Sequence, residues 1–164
     1  MNTIYLGLGS NIGNRVQYIQ RAVSALSRHH QITIQLISRL YDNPAISHGH
    51  QPNYMNGVVK GTTSLPPMTL LSVTQTIEKE LGRTNKNTGQ SRVIDIDILL
   101  YNDLIMANDQ LIIPHPLLHE RYFVLRPLND ISSHCIHPVF NQSIRDLWHQ
   151  YQNQSIDTLS NPNE

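Results

Sequence analysis

The stretch Ser91-Arg92-Val93-Ile94-Asp95-Ile96-Asp97-Ile98-Leu99-Leu100-Tyr101 decides how the rest of the chain is read. It is β-branched and aliphatic, which predicts a strand. Strand side chains alternate between faces, so Ile94, Ile96 and Ile98 share a core face and Asp95 and Asp97 share the other. Like charges at that spacing repel, and Asp is a poor strand former. Two carboxylates held there need a cation. Oxygen ligands this close suit Mg2+, which keeps some of its waters and shares itself with a substrate phosphate. An isolated D-x-D also fits an amphipathic strand with two solvated acids, and alone it favours that reading.

Immediately before this strand, residues 83–91 form a polar loop with Arg83 and Lys86, leading to Arg92. Cations beside acids are often surface ion pairs of little value. They are also what holds a polyphosphate and a metal together. Upstream of the loop, Pro66-Pro67 starts a helix whose core stripe is Leu70, Val73, Ile77 and Leu81, with Gly82 as its C-terminal cap. Leu71, Gln75 and Glu78 share another face of that helix, which by itself reads as solvated. After the strand, residues 104–113 read as a short hairpin. Pro114 and Pro116 then constrain the backbone around His115, with Arg121 and Phe123 a few residues on.

The N-terminal half supplies the other elements. Ile4, Leu6 and Leu8 lie on one face of a buried first strand, which ends in a Gly9-Ser10-Asn11-Ile12-Gly13-Asn14 turn. Ser10, Asn11 or Asn14 can cap the helix that follows over 14–28, where Val16, Ile19, Val23 and Leu26 recur at helical spacing. A second strand runs from Ile32 to about Tyr41. A long Pro- and Gly-containing loop over 42–53 carries His48 and His50, which read as solvated rather than metal-binding. Tyr54–Thr63 is a third strand, with Tyr54 and Asn56 on one face. A short last helix over 143–151 takes Trp148 into the core, and 152–164 reads as a frayed polar tail. The order β-α-β-β-α-β predicts an α+β, ferredoxin-like fold with C-terminal additions: an antiparallel sheet with helices on one face and the other free for ligands.

The chain has 164 residues, one catalytic domain's worth over 1–151. Twelve basic and twelve acidic residues cancel. No overall field attracts nucleic acid or an anionic membrane, which argues against a D-x-D nuclease. The single cysteine, Cys135, forms no internal disulfide and fits a reducing compartment. The N-terminus lacks a basic, apolar leader, and no run reaches the roughly 20 apolar residues of a spanning helix. The expectation is a cytoplasmic protein acting as a monomer.

The chain resembles the 6-hydroxymethyl-7,8-dihydropterin pyrophosphokinase family over nearly its whole length. The resemblance rests on Leu8-Gly9-Ser10-Asn11, Gln51-Pro52-Asn53-Tyr54-Met55-Asn56, Gln75-x-x-Glu78 with Gly82-Arg83, and Arg92-x-x-Asp95-Ile96-Asp97-Ile98-Leu99. It rests also on Pro114-His115-Pro116 followed by Glu120-Arg121-x-Phe123-Val124-Leu125-x-Pro127-Leu128. It implies transfer of pyrophosphate from ATP to the hydroxymethyl group of the reduced pterin, releasing AMP, in folate biosynthesis. By the same resemblance Asp95 and Asp97 hold two Mg2+ ions, and Arg83, Arg92, Asp95 and Asp97 are the catalytic set. Tyr54 and Phe123 stack on the pterin. Asn56, Asn11, Asp95 and the backbone near Asn43, Pro44 and Ile46 complete its pocket. Arg92, His115 and Arg121 contact the nucleotide, Leu71, Gln75, Glu78 and Ile98 lie near the adenosine, and Lys86 and Arg83 sit on a closing loop. Asp97 or a water on the metal is the candidate acceptor of the hydroxyl proton. Two features depart from the family. The loop 83–91 is about one residue short, with Asn85 where Arg is common and no Trp, and Gln110 stands where a basic residue sometimes occurs. These departures leave a non-catalytic pterin- or nucleotide-binding relative, with a degenerate closing loop, as the alternative.

Overall fold

The computed structural model describes residues 1–45, 52–84 and 92–160. Its centre is β1 (Asn2–Ser10), which pairs antiparallel with β4 (Tyr54–Thr63) on one side and β5 (Asp95–Tyr101) on the other. Strand β2 (Ile32–Ile37) pairs with β4, giving the order β2-β4-β1-β5, and β3 (Tyr41–Asn43) also pairs with β4. With α1 (Arg15–Arg28) following β1 and α2 (Pro67–Glu80) following β4, this is the expected ferredoxin-like plan.

The alternation predicted for the strands sorts the core. Ile4, Leu6 and Leu8 of β1 and Ile96 and Ile98 of β5 meet Ile19, Ala22 and Leu26 of α1 and Leu70 and Ile77 of α2. Each side chain so buried contributes about 2 kcal/mol. Both helix caps expected from sequence form. The Asn14 side chain accepts from the Gln17 N–H, and Gly82 takes φ +101° just past α2. The stripe of α2 differs by one face: Leu70, Thr74, Ile77 and Glu78 are buried, while Val73 and Leu81 are half-buried.

Four expectations are corrected. The second strand does not run unbroken to Tyr41. It ends at Ile37, because the Ser38 hydroxyl accepts the Val58 N–H at 2.9 Å and Leu40 crosses over Gly57. A Cβ on Gly57 would lie 2.6 Å from the Leu40 side-chain tip, so glycine lets Leu40 cross there without moving aside. The two-Asp strand joins the ladder at Asp95 rather than Ser91. Asn11 holds Arg92 just before it through two backbone bonds, from its own N–H (3.1 Å) and to its side-chain oxygen (2.6 Å). The second sheet face is not free. It packs against a helix that the sequence reading lacked, α3 (Tyr122–Ser132), and against α4 (Ile144–Ser160). Tyr5, Val58, Leu99 and Leu100 of the sheet meet Leu125 and Leu128 of α3 and Ile144 and Leu147 of α4 there. Pro127 lies inside α3 and forfeits one backbone bond. Finally, α4 does not stop at Tyr151: its backbone stays helical to Ser160, through much of the expected frayed tail 152–164.

Two short hairpins complete the fold. The first is the expected one, with β6 (Met106–Ala107) against β7 (Ile112–Ile113). The second joins β8 (Ile136–His137) to β9 (Gln142–Ser143). Trp148 is half-buried against the second core and stacks on Tyr151. Among the described residues, no helix is long and apolar enough to cross a membrane.

The hairpin of β8 and β9 buries His137, which is 3% exposed. Its Nδ1 accepts the Val139 and Phe140 N–H groups at 3.3 and 3.4 Å, while Nε2 finds no partner among the described residues. Burial, and secondarily the nearby His119, lowers the His137 pKa from 6.5 to about 4. The unfolded chain therefore binds a proton, below about pH 6.5, that the folded chain refuses until about pH 4. The neutral imidazole's contribution is complete above 6.5 and is lost as pH falls, by at most about 3 kcal/mol. With His137→Asn, which keeps an acceptor for the two N–H groups, urea melts at pH 7 and pH 4.5 should show a smaller acid loss than the native chain.

Candidate active site

The face of β5 that carries Asp95 and Asp97 points away from α1 and α2. In register beside them on β1 are Gly9 and Gly7, and beyond those on β4 are Asn56 and Val58. Two glycines between the acids and Asn56 leave the floor without side chains. A Cβ on Gly9 would lie 3.0 Å from Asn56 Nδ2 and 3.7 Å from the Tyr54 ring. Glycine at position 9 thus serves the close approach of Asn56, since a Cβ there would press on that amide. Gly7-x-Gly9 inside an aliphatic strand was the signal for such a floor, although the sequence reading took Gly9 only as part of a turn.

At the outer edge of β5 four side chains form one ionic chain. Glu78 accepts the Ile96 N–H at 2.7 Å and pairs with Arg83 at 2.6 Å; Arg83 also meets Asp95 at 2.6 Å, and Arg92 meets the other Asp95 oxygen at 2.7 Å. Local structure places Arg83. Gly82 N–H bonds to the Lys79 carbonyl and Arg83 N–H to the Glu78 carbonyl. That paired closure with left-handed Gly82 turns the chain back over the end of α2. Glu78 is only 4% exposed, so the solvated-face reading fails for it. Its burial pushes its pKa up from 4.5 to about 7; Asp95 and Asp97 push the same way, against the Ile96 N–H and Arg83.

Asp97 is half-buried deeper in the same face. Burial, then the charge of Asp95, raises its pKa, while His115, Arg121 and Arg83 oppose this. His115 is lowered by burial, and Arg121 adds to that effect against the pull of Asp97. The His115 ring is oriented by its own backbone. Its N–H bonds to the Leu99 carbonyl at 2.9 Å, and Nδ1 accepts the Leu117 N–H at 3.1 Å. Asp97, His115, Leu71 and Ile98 line a cleft of about 290 Å³, together with Asn108, Asp109 and Gln110 of the hairpin, which the sequence reading had not placed beside Leu71. Gln75, Glu78 and Arg83 line a second cleft of about 710 Å³ along α2.

On the other flank, Asn43 Nδ2 donates to Asn56 Oδ1 at 3.0 Å, and both residues are buried. The Asn56 amide nitrogen is left facing the space above Gly9. Tyr54 has its pKa raised, first by burial and then by Asp95, which places its hydroxyl in the field of the acid pair. Phe123, at the start of α3, lies under the Arg121 guanidinium at 5.6 Å. Asn11 ties Arg92 to the Pro52 carbonyl (3.4 Å). Pro44 follows directly on β3. Ile46 and Lys86 fall outside the described residues, as do His48, His50 and the loop departure at Asn85.

The donor set fits a hard divalent cation. Two carboxylates share one face, and Asp97 is held back from ionising by burial and by its neighbour's charge, a cost that a bound cation removes. Asp95 is meanwhile balanced by two arginines.

Titration isolates the buried carboxyl. A Glu whose folded pKa is raised contributes fully below about pH 4.5, and that contribution is lost as pH rises through about 7. Glu78→Gln keeps an acceptor for the Ile96 N–H and does not titrate. Relative to this variant, the native chain should lose at most about 3 kcal/mol between pH 4.5 and 8 in denaturant melts.

Comparison with known proteins agrees with this geometry. The profile of the family described as 7,8-dihydro-6-hydroxymethylpterin-pyrophosphokinase (HPPK) matches residues 5–133. The chain is similar to the 2-amino-4-hydroxy-6-hydroxymethyldihydropteridine pyrophosphokinase of Aquifex aeolicus, at 40% identity over 90% of this chain and 91% of that protein. It is 43% identical to the Bacillus subtilis protein of the same name, over 79% of this chain and 78% of the relative. Among solved structures, Plasmodium falciparum HPPK-DHPS with pteroate superposes with a TM-score of 0.77 at 17% identity, covering 97% of this chain. This chain spans 46% of that longer chain, and the likeness speaks for the fold alone. By the profile match and by these relatives, the chain belongs to the 7,8-dihydro-6-hydroxymethylpterin-pyrophosphokinase family.

Proposed function

We infer that this chain transfers pyrophosphate from ATP to the hydroxymethyl group of 6-hydroxymethyl-7,8-dihydropterin, giving the pterin diphosphate and AMP. The observation that carries the reading is the arrangement around the outer strand β5. Asp95 and Asp97 lie beside a glycine floor, between the buried amide pair Asn43 and Asn56, read as the edge of a recess, and a cleft at Leu71, Ile98 and His115.

The recess suits a flat, polar heterocycle. Tyr54 and Phe123 would supply ring faces for it to stack on, and Asn56, with its oxygen held by Asn43, would offer its amide nitrogen to the ring edge. The second cleft takes the adenosine, with Leu71 and Ile98 against the base and Gln75 and Glu78 nearby. Triphosphate oxygens fall to Arg92, His115 and Arg121, with Arg83 beside them. The hydroxymethyl oxygen attacks the β-phosphorus, the bond between that phosphorus and the α-phosphate oxygen breaks, and AMP leaves. Such transfers depend mainly on positioning and charge. Asp95 and Asp97 would hold Mg2+, which neutralises phosphate charge and polarises the phosphorus when bound. Asp97, in its ionised form, or a water on the metal would take the hydroxyl proton. Arg83 and Lys86 belong to the loop that the family resemblance assigns to excluding water from the site. We further propose a cytoplasmic monomer and a single catalytic domain over 1–151.

Two outcomes test this. AMP release from Mg-ATP should depend on added hydroxymethyl dihydropterin and fall at least about a hundredfold in Asp95→Ala. Pterin binding without AMP formation by the native chain would mean a binding protein that has lost catalysis. Gly9→Ala, which presses a methyl on Asn56, should raise the KM for the pterin by about tenfold while leaving the KM for ATP within about twofold, read from initial rates.

A further inference from the structure

Arg15 breaks a local rule. It is the first residue of α1, next to the Asn14 cap, and the first turn of that helix holds no acid. A cation there faces the positive end of the helix dipole and costs a few tenths of a kcal/mol or more. Its partners lie elsewhere. NH1 and NH2 each meet one oxygen of Asp42 at 3.1 Å, a two-point pairing, and NH1 also donates to the Asn53 carbonyl at 2.8 Å. The pairing raises the arginine pKa and lowers that of Asp42, so both stay charged.

Asp42 is on β3, one residue before Asn43. Asn53 is one residue before Tyr54, the first residue of β4. Asn43 and Tyr54 form the last rung of the β3–β4 ladder. One guanidinium therefore holds the two strands together at that last rung, next to the two residues that the pterin reading uses. Asn11, at the end of β1, reaches the adjoining Pro52 carbonyl at 3.4 Å.

We propose that Arg15 is a positioning residue for the pterin recess: its fork, shared between Asp42 and the Asn53 carbonyl, sets the position of Asn43 on β3 against Tyr54 and Asn56 on β4. The proposal rests on the function inferred above. Its expected size is modest, because the pair is 27% and 49% exposed. An ion pair so exposed changes a binding constant by about fivefold at most. Lysine, a point charge on a flexible stem, cannot replace the two-point fork.

The test is steady-state kinetics in both substrates, with thermal melts, on the native chain, Arg15→Met, Arg15→Lys and the double variant Arg15→Met/Asp42→Asn. Arg15→Met should raise the KM for the pterin about fivefold, with kcat and the KM for ATP within about twofold. Its melting temperature should stay within about 4 °C of native. Arg15→Lys should not restore the pterin KM, and adding Asp42→Asn to Arg15→Met should change it no further, because the pair is already gone. An unmoved pterin KM in Arg15→Met beside a normal native rate overturns this proposal alone. Equal rises in both KM values with a larger drop in melting temperature also overturn it, by making Arg15 a stability residue. Restoration by lysine overturns the fork geometry. No pterin-dependent AMP from the native chain overturns the function itself and the proposal with it.

Discussion

Two carboxylates on one face of one strand repel, and much of the structure around β5 answers that repulsion. Asp95 is met by a guanidinium on each of its oxygens, from Arg83 and Arg92. Glu78 joins the same chain from the helix side and occupies the Ile96 N–H, a donor that β5, the last strand of the sheet, leaves outward. Two acids and two arginines cancel there, which allows the chain of charges to be largely buried without an unpaired ion. Asp97 lies outside this balance and bears the cost, leaning toward its neutral form through burial and the charge of Asp95. Its nearby cations are His115, itself held toward neutrality, and Arg121. A site of this kind gains most when a divalent cation and a polyphosphate arrive together, because each satisfies charges that the protein leaves in tension.

The remaining architecture keeps the floor of that site bare and its walls fixed. Both faces of the sheet are packed, one by α1 and α2 and the other by α3 and α4, so the acids open toward the end of the sheet where Gly9 stands between Asp95 and Asn56 and toward the outer edge of β5. Walls come from elements anchored to different layers. Strand β3 is tied to α1 through Asp42 and Arg15, and to α3 through Tyr41. The Tyr41 hydroxyl donates to Asp130 at 2.6 Å, and the ring lies 4.2 Å from the Arg126 guanidinium. A short strand so held from two sides presents Asn43 without relying on its own three-residue ladder.

The amino-acid sequence determined a good deal alone. Alternation placed Ile94, Ile96 and Ile98 inward and Asp95 and Asp97 on the opposite face, because a strand's period of two admits no other division. Helical spacing and cap chemistry located α1 and α2, including left-handed Gly82, because caps are decided within a few residues of the chain. Those residues and the motif spacing were enough for the family and its reaction. Other features depended on partners far away in sequence. Glu78 read as exposed on periodicity, and only the approach of β5 buries it. Arg83 was placed on a loop, and only the fold joins it to both Glu78 and Asp95. Helix α3 has no side-chain cap and carries Pro127 inside it, a local penalty outweighed by the burial of Leu125 and Leu128 against the sheet. Arg15 at the start of α1 is locally unfavourable, and its pairing with Asp42, far along the chain, is visible only after folding. Short-range patterns are set by backbone geometry and survive in the sequence, whereas charges and caps that satisfy distant groups acquire meaning only when tertiary packing removes water from between them.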